Sequence, residues 1–452
     1  MSIRRLSVFA VVALALSPLA ADAQVINRPQ RAFRGLFGGG RQTDPTQFRQ
    51  ELTFTLNGLG GYDDNVLAGE GPGTAPPPGS TDAAGSTFNV DAALDYFVGR
   101  AARSFRASFG AGATGYGDVP LGNSQFYRLD LSATTDFGRR TTLSVSEGLR
   151  YSSQYRLDGA LTSTLPVEDL PTLDSSIYGL GDRSTIDSTT SVSLEQRLSR
   201  TNSLQGTYGY TATTFTEGDE NGYKVHQASG RYHHQISRWW EAHGLYEYST
   251  TQYAFSQGDA GRRMRQNRIT GGGQYQRRLS PRRSMRFDFE GGAFSVASVT
   301  GVTFEPFTVW APFVSVATEL DLGRQWNLGG NFRRGADTLE GLSTEAFLND
   351  AGTVTLSGLV SRRVDLSFIA GLARGTQAAG EGNSRYLTGT GSAQVRIALT
   401  RMLATVVSYH YYRYKFEDTV LLDPTLPPLF ERNAVRVGLS LFLPLYGNAS
   451  GR

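Results

Sequence analysis

Arginine and carboxylate residues recur at alternate positions in several segments of this 452-residue chain. Alternation places side chains on one face of a strand, so these residues would line a common polar wall. Guanidinium groups make fixed, multi-donor contacts with carboxylates and phosphates. Such a wall would sort charged solutes, while the mixed signs would also pair with one another and hold the wall in shape. The candidates are Arg106, Arg128, Arg150, Arg286, Arg333, Arg396, Arg436, Asp130, Asp288 and Glu290, with Asp91, Asp95, Asp187, Glu195 and Asp365 on the same face.

A second candidate for chemistry is the run Asp63, Asp64 and Asn65. Oxygen ligands of this type bind hard cations such as Ca²⁺, and two adjacent carboxylates are also able to act as an acid–base pair. Short polar runs of this kind more often turn a strand into a loop. We therefore treat the run as a turn motif with a loop cation as the alternative, and we expect no cofactor and no other metal site.

The elements that position these residues are predicted from a period of two. Apolar and polar residues alternate over 52–56, 88–96, 105–109, 127–133 and 285–290. Strict alternation over such lengths indicates β-strands with one apolar and one polar face. A soluble sandwich is the alternative, but its strands are commonly about 5–6 residues long.

A short turn with a terminal arginine repeats along the chain and counts the strands. Each copy has an apolar residue, then Gly, Ser or Thr, then Arg, and Pro281 interrupts one copy. The copies lie at 98–100, 137–139, 198–200, 236–238, 279–282, 322–324, 360–362 and 399–401. Successive arginines lie 38 to 44 residues apart, except for one gap of 61. Eight turns separate nine hairpins and hence 18 strands. Sixteen strands is the alternative, because residues 223–234 and 309–320 alternate poorly.

Short turns at one end, long Gly- and Pro-containing connections at the other, and alternating strands together predict a transmembrane antiparallel β-barrel in the outer membrane. Residues 1–23 resemble a secretory signal peptide, with a charged start, an apolar core and an Ala21-Asp22-Ala23 cleavage site. We expect residues 24–49 to form a flexible basic periplasmic segment, 50–446 the barrel, and 447–452 a short tail.

The stretch Gly61-Tyr62-Asp63-Asp64-Asn65-Val66 resembles the first-strand pattern of the β-barrel porin 2 family and of outer-membrane proteins associated with exopolysaccharide export. The arrangement of a signal peptide, this strand and many hairpins is similar as well. The resemblance implies an outer-membrane barrel that transports a solute, and it implies no catalytic residues.

Three functions are compatible with these patterns. The leading hypothesis is a porin-like channel for small hydrophilic solutes, with anionic saccharides or exopolysaccharide export as the specific form. The alternative is a structural or assembly barrel with a plugged lumen that binds a surface or periplasmic partner. An outer-membrane hydrolase is a third, but His226, His233, His234, His243 and His410 lie in no recognisable catalytic motif. We expect contacts with outer-membrane lipid and, during biogenesis, with the barrel-assembly machinery, and none with nucleic acid.

Overall fold

The structure, a computed structural model, describes residues 48–65, 84–100, 102–117, 124–153, 184–216, 222–253, 263–280, 283–300, 307–323, 325–338, 346–377, 385–417 and 429–447. The predicted signal peptide, most of the basic segment, Val66, the connection 156–183 and the end of the C-terminal tail lie outside the described residues. No helix among the described residues is long and apolar enough to cross a membrane.

Eighteen antiparallel strands make up the fold. They are β1 Arg49–Asp63, β2 Gly85–Arg100, β3 Arg103–Tyr116, β4 Ser124–Phe137, β5 Thr141–Ser152, β6 Thr185–Arg197, β7 Asn202–Phe215, β8 Tyr223–Gln235, β9 Trp240–Tyr253, β10 Arg263–Ser280, β11 Arg283–Thr300, β12 Phe307–Asp321, β13 Trp326–Thr338, β14 Ala346–Leu359, β15 Val364–Gln377, β16 Arg385–Ala398, β17 Leu403–Phe416 and β18 Leu429–Gly447.

The sheet closes on itself. Each strand pairs with its neighbours in sequence, and β18 pairs with β1 over the register Glu51–Gly447 to Asp63–Ala434. Closure leaves no sheet edge, which a hydrocarbon environment requires of any β structure. With a strand spacing of about 4.8 Å and a tilt of about 40°, 18 strands enclose a backbone diameter on the order of 35 Å. The prediction of an 18-stranded barrel is confirmed.

Large apolar side chains stay exposed on one face of nearly every strand, which is the outer face. They include Phe105, Phe109, Val145, Leu194, Leu204, Ile269, Phe289, Val354, Leu372, Leu387, Val407, Val437 and Leu439. Exposed aromatic residues flank this apolar belt, with Tyr62, Phe88, Tyr127 and Trp310 towards the long connections and Phe137, Tyr232, Trp240 and Tyr446 towards the short turns. A closed barrel with an apolar belt and aromatic girdles is an outer-membrane protein.

The middle residue of the repeated turns, which is Gly, Ser or Thr, stabilises the turn in one of two ways. Gly138 and Gly323 adopt φ values of 75° and 96°, where a residue without Cβ has no steric penalty. Where a hydroxyl residue takes the place of glycine, it accepts hydrogen bonds from backbone N–H groups on the far side of the turn. Ser237 Oγ accepts two from Trp239 and Trp240, each at 3.2 Å, and Thr400 Oγ1 accepts two. Gly, Ser and Thr therefore stabilise the same short turn.

Poor alternation in β8 and β12, which suggested 16 strands, has a physical cause. The inward faces of these strands carry apolar residues, Tyr223 and Val225 in β8 and Ala311 and Phe313 in β12. They belong to one cluster of buried side chains inside the barrel. An apolar inner face removes the contrast between the two faces, so the period of two weakens although both segments are strands.

Candidate functional site

The lumen wall is the candidate site, and it follows from the side-chain parity of each strand. Inward positions alternate with the exposed apolar belt described above. All ten predicted lumen residues occupy inward positions: Arg106 on β3, Arg128 and Asp130 on β4, Arg150 on β5, Arg286, Asp288 and Glu290 on β11, Arg333 on β13, Arg396 on β16 and Arg436 on β18. Their surroundings differ, and these differences decide which of them are able to meet a solute.

Two of the predicted arginines are structural. Arg396 Nη2 lies 2.6 Å from Asp365 Oδ2 on the neighbouring strand, and that carboxylate is almost fully buried. Arg436 is 1 % exposed, beside the junction of β18 and β1. The Arg396 guanidinium is thus engaged by a carboxylate, and that of Arg436 is buried, so both contribute to the structure of the wall.

The Asp63-Asp64-Asn65 run joins the first strand to the last. Asp63 accepts two hydrogen bonds from Arg432 Nε, at 2.9 and 2.8 Å, and lies 2.5 Å from Arg432 Nη2. Asp64 accepts hydrogen bonds from the backbone and side-chain nitrogens of Asn433, at 2.6 and 2.8 Å. Asn65 donates to the Glu431 carbonyl at 2.8 Å. The carboxylates are therefore engaged by β18 side chains and stabilise the seam of the barrel.

One side of the lumen is filled near the long connections. Inward-facing Tyr223, Tyr253, Met264, Phe294, Val296 and Phe313 form a buried cluster on β8–β12. Arg268 and Arg333 both approach the ring of Phe313, with their Cζ atoms 4.7 and 6.0 Å from its centroid. The aromatic residues Phe347, Tyr386, Tyr412, Tyr414 and Phe416 continue this filled side across β14–β17. The opposite wall, on β4–β7, has no buried aromatic residue among the described residues, although Ser124, Thr185 and Thr213 near the long connections are buried there as well.

That opposite wall is rich in hydroxyl groups. The inward positions of β4–β7 include Ser132, Thr134, Ser144, Ser146, Thr189, Ser191, Ser193, Thr207 and Thr211. Ser146 and Thr189 are exposed. Some of the groups pair across strands, as in the 3.2 Å contacts of Thr134 with Ser144 and of Thr207 with Ser193. Because each hydroxyl is both donor and acceptor, this wall is suited to a hydroxylated solute.

Two arginines stand side by side at the edge of the hydroxyl wall. Arg128 on β4 lies directly opposite Arg150 on β5. Like charges in directly opposed positions destabilise a sheet unless an anion is near. Neither residue forms an ion pair within 4.0 Å among the described residues. Two carboxylates are nevertheless near, because Asp91 interacts electrostatically with Arg128 and Asp187 on β6 lies directly opposite Arg150. Arg150 is exposed to the lumen.

Arg106 lies next to this pair on β3, over the inward-facing ring of Phe97 at 5.8 Å from its centroid. Arg49 approaches the same ring at 5.5 Å. Such cation–π contacts hold guanidinium groups in place without neutralising them. Asp130, two residues beyond Arg128, points to the same wall across from Ser108. This part of the wall thus combines four guanidinium groups with the inward-facing carboxylates of Glu51, Asp91, Asp95, Asp130 and Asp187.

The charges on β8–β11 are instead matched in pairs. Arg231 Nη2 lies 3.6 Å from Glu290 Oε2, and Glu290 also accepts a short hydrogen bond from Thr270. His233 Nδ1 lies 2.7 Å from Glu241 Oε1. Arg268 and Glu247 are paired at 2.7 Å in the same region, and Arg286 donates to Gln274 at 3.2 Å near Asp288. Paired charges structure the wall and offer less attraction to a passing ion than Arg128 and Arg150 do.

Sequence reasoning missed the hydroxyl wall, although the signal was present. In β4–β7, the positions that alternate with the apolar residues are mostly Ser, Thr and Gly, whereas the corresponding positions in β8–β13 include many aromatic, apolar and charged residues among the uncharged polar ones. No group of three or more His, Cys, Asp or Glu side chains arranged to hold a metal ion occurs within the described part of the chain.

No protein-family model matches the chain, and no curated protein matches its sequence. Solved structures with a similar arrangement include OccAB3 of Acinetobacter baumannii, at 11% identity and a TM-score of 0.42, covering 87% of this chain and 99% of that one. OccK2 (OpdF) of Pseudomonas aeruginosa has 12% identity, a TM-score of 0.42 and coverages of 88% and 98%. The ferric-catecholate import receptor Fiu of E. coli K12 has 6% identity, a TM-score of 0.43 and coverages of 87% and 81%. The fold assignment rests on the closed sheet itself.

Proposed function

We propose that the chain forms a porin-like channel of the outer membrane that passes small hydrophilic solutes and favours anionic saccharides. The observation that carries the proposal is the hydroxyl wall of β4–β7 beside Arg128 and Arg150. A barrel of 16–18 strands is wide enough for an aqueous channel. Filling of one side by apolar residues narrows that channel towards the hydroxyl wall.

The chemistry of an anionic sugar matches this wall. Its hydroxyl groups would exchange hydrogen bonds with the serine and threonine side chains, each of which both donates and accepts. Its carboxylate would be attracted to the juxtaposed guanidinium groups of Arg128 and Arg150. Exopolysaccharide export falls within the same proposal, because a polymer of anionic sugars presents these groups repeatedly along its length. Membership in the β-barrel porin 2 family, which the stretch Gly61–Val66 suggests by resemblance, stays a prediction.

Flux into liposomes tests the solute class. The refolded chain is expected to carry a uronic acid faster than its neutral parent sugar. Arg128→Gln/Arg150→Gln should bring the two rates together, whereas Arg362→Gln, in an exposed periplasmic turn, should leave their ratio unchanged. Faster transport of the neutral sugar by the unmodified chain would contradict the proposal.

A barrel that serves as a scaffold for a surface or periplasmic partner is the second candidate. It is favoured by the near-complete burial of inward-facing Phe294, Phe347, Tyr412 and Tyr414. A scaffold of this kind would carry neither sugar and no ions, so the same liposomes distinguish the two functions.

A further inference from the structure

Four cations lie on the outer face of β13–β17, close to the extracellular ends of the strands. Arg334, Arg374, Arg413 and Lys415 alternate with inward-facing residues and share their face with the exposed apolar side chains of Phe332, Leu372 and Leu387. Each lies within four residues of the strand end that leads to a long connection. They therefore stand at the upper border of the apolar belt, where lipid headgroups of the outer leaflet meet the barrel.

The register brings these cations into one patch. Arg334 is opposite Asp350, Asp350 is opposite Arg374, and both Arg374 and Lys415 are opposite Leu387. A strand spacing of about 4.8 Å gives the patch a width of roughly 19 Å from β13 to β17. Arg413 lies two residues before Lys415 on the same face. The patch is therefore comparable in width to a large lipid headgroup.

The patch carries an excess of positive charge. Arg334 Nε lies 3.4 Å from Asp350 Oδ1, and Arg413 Nε lies 4.0 Å from Glu431 Oε2. Arg374 and Lys415 are exposed and form no ion pair within 4.0 Å among the described residues. With Arg385 and Glu417, which lie on the same face, five cations face three carboxylates, and two of these carboxylates, Asp350 and Glu431, are already engaged.

General anchoring of the barrel by long basic side chains does not account for this distribution. Long basic side chains that extend to the headgroup region would anchor the barrel equally well at any point of its circumference. At or within four positions of the extracellular strand ends, the described outward-facing residues of β1–β7 include one charged side chain, Asp64. Outward-facing cations also lie near the extracellular ends of β8 and β10, at Lys224, Arg263 and Arg265, but the group on β13–β17 is the largest in the described part of the chain, which points to a localised anionic ligand there.

We propose that Arg334, Arg374, Arg413 and Lys415 form a binding site for the phosphate groups of phosphorylated lipid headgroups in the outer leaflet. Guanidinium groups match phosphate geometry and make charge-assisted hydrogen bonds with it. The apolar side chains of Phe332, Leu372 and Leu387 directly below would contact the acyl chains of the same lipid. The two halves of the site thus correspond to the two halves of a phosphorylated lipid.

Native mass spectrometry of the refolded full chain tests this site with bisphosphorylated lipid A, its dephosphorylated form and inorganic phosphate. The unmodified chain should bind the bisphosphorylated lipid most tightly. Because each basic residue near a charged lipid surface contributes about fivefold in affinity, Arg374→Gln/Lys415→Gln should weaken binding roughly 25-fold. Lys224→Gln/Arg265→Gln, which removes two outward-facing cations on β8 and β10, is the matched control and should change the affinity less than about twofold.

Three results would overturn the proposal. Equal affinity for the dephosphorylated lipid would show that phosphate is not recognised. Equal losses in the two double variants would show unspecific attraction. Displacement of the lipid by inorganic phosphate at the same concentration would assign the site to a free anion. Folded barrels migrate differently from unfolded chains on gels when samples are not heated, so gel mobility identifies any variant that fails to fold. In that case Arg374→Lys/Lys415→Arg, which conserves the charge, replaces it and is expected to retain binding.

Discussion

Asp63→Asn is expected to destabilise the barrel more than any comparable change to a surface ion pair. Asp63 and Arg432 have side chains that are 0% and 1% exposed, and three nitrogen–oxygen contacts of 2.5 to 2.9 Å join them. Asp63 also interacts electrostatically with Arg436 and His410. One carboxylate therefore interacts with two buried guanidinium groups at the seam of β1 and β18.

The magnitude follows from the burial of this pair. Removal of one partner from a buried ion pair leaves an uncompensated charge and costs about 3–5 kcal/mol. Because Asp63 interacts with both Arg432 and Arg436, the loss should fall within that range. Asparagine has nearly the same shape as aspartate, so the change tests charge and leaves packing almost intact. Asp350→Asn is the matched control, because its pair with Arg334 is 38% and 46% exposed and should contribute less than about 1 kcal/mol.

Reversible unfolding by guanidinium in lipid vesicles measures both free energies. The four tryptophans of the chain report the transition by fluorescence, and the mobility of unheated samples on gels confirms the folded state. A loss below about 1 kcal/mol for Asp63→Asn, equal to that of Asp350→Asn, would refute the assignment of the seam as a buried, charge-dependent junction.

Two further changes test the packing of the seam and of the filled side of the lumen. At Gly438, an added Cβ would lie 1.9 Å from the Gly58 carbonyl oxygen. Gly438→Ala should therefore lower the free energy of unfolding by at least about 1–3 kcal/mol in the same assay. Gly58→Ala should be tolerated, because no atom lies within 4 Å of its added Cβ. Equal stabilities would contradict the close approach of β18 and β1. Phe313→Ala should lower the free energy of unfolding by about 3–5 kcal/mol, because it removes a buried ring that contacts two arginines. It should also raise single-channel conductance, because the ring fills part of the lumen. Unchanged conductance would show that the cluster does not limit the passage.

The fold was accessible from the sequence because the membrane constrains every strand in the same way. One face of each strand must be apolar, which imposes a period of two, and each periplasmic turn needs a glycine or hydroxyl residue at its centre. Counting these turns gave the correct number of strands. Alternation failed in β8 and β12 because Tyr223 and Phe313 face a filled part of the lumen. The failure was itself the signal of an apolar interior.

The candidate site was only partly accessible from the sequence. The alternation of side chains assigns a residue to the lumen, but it does not reveal which side chain on the neighbouring strand contacts that residue. Arg396 and Arg150 each have a carboxylate directly opposite in the register, yet Arg396 pairs with Asp365 at 2.6 Å. Arg150 forms no ion pair within 4.0 Å with Asp187 and lies opposite Arg128 on its other side. Arg436 is buried by the contacts of the seam, which join residues almost 400 positions apart in sequence. Pairing and burial of this kind depend on register and closure, which local patterns do not contain.

Ion current through the refolded chain in planar bilayers tests the proposed channel most directly. The chain is predicted to conduct and to prefer anions in a salt gradient. In water, each cation at about 7 Å from a passing ion changes its concentration about threefold at low salt. Each arginine raises the anion concentration and lowers the cation concentration by this factor, so Arg128→Gln/Arg150→Gln should lower the anion-to-cation permeability ratio by up to roughly 80-fold at low salt, while Arg362→Gln leaves it unchanged. Absence of current at every salt concentration, or a preference of the unmodified chain for cations, would contradict the account.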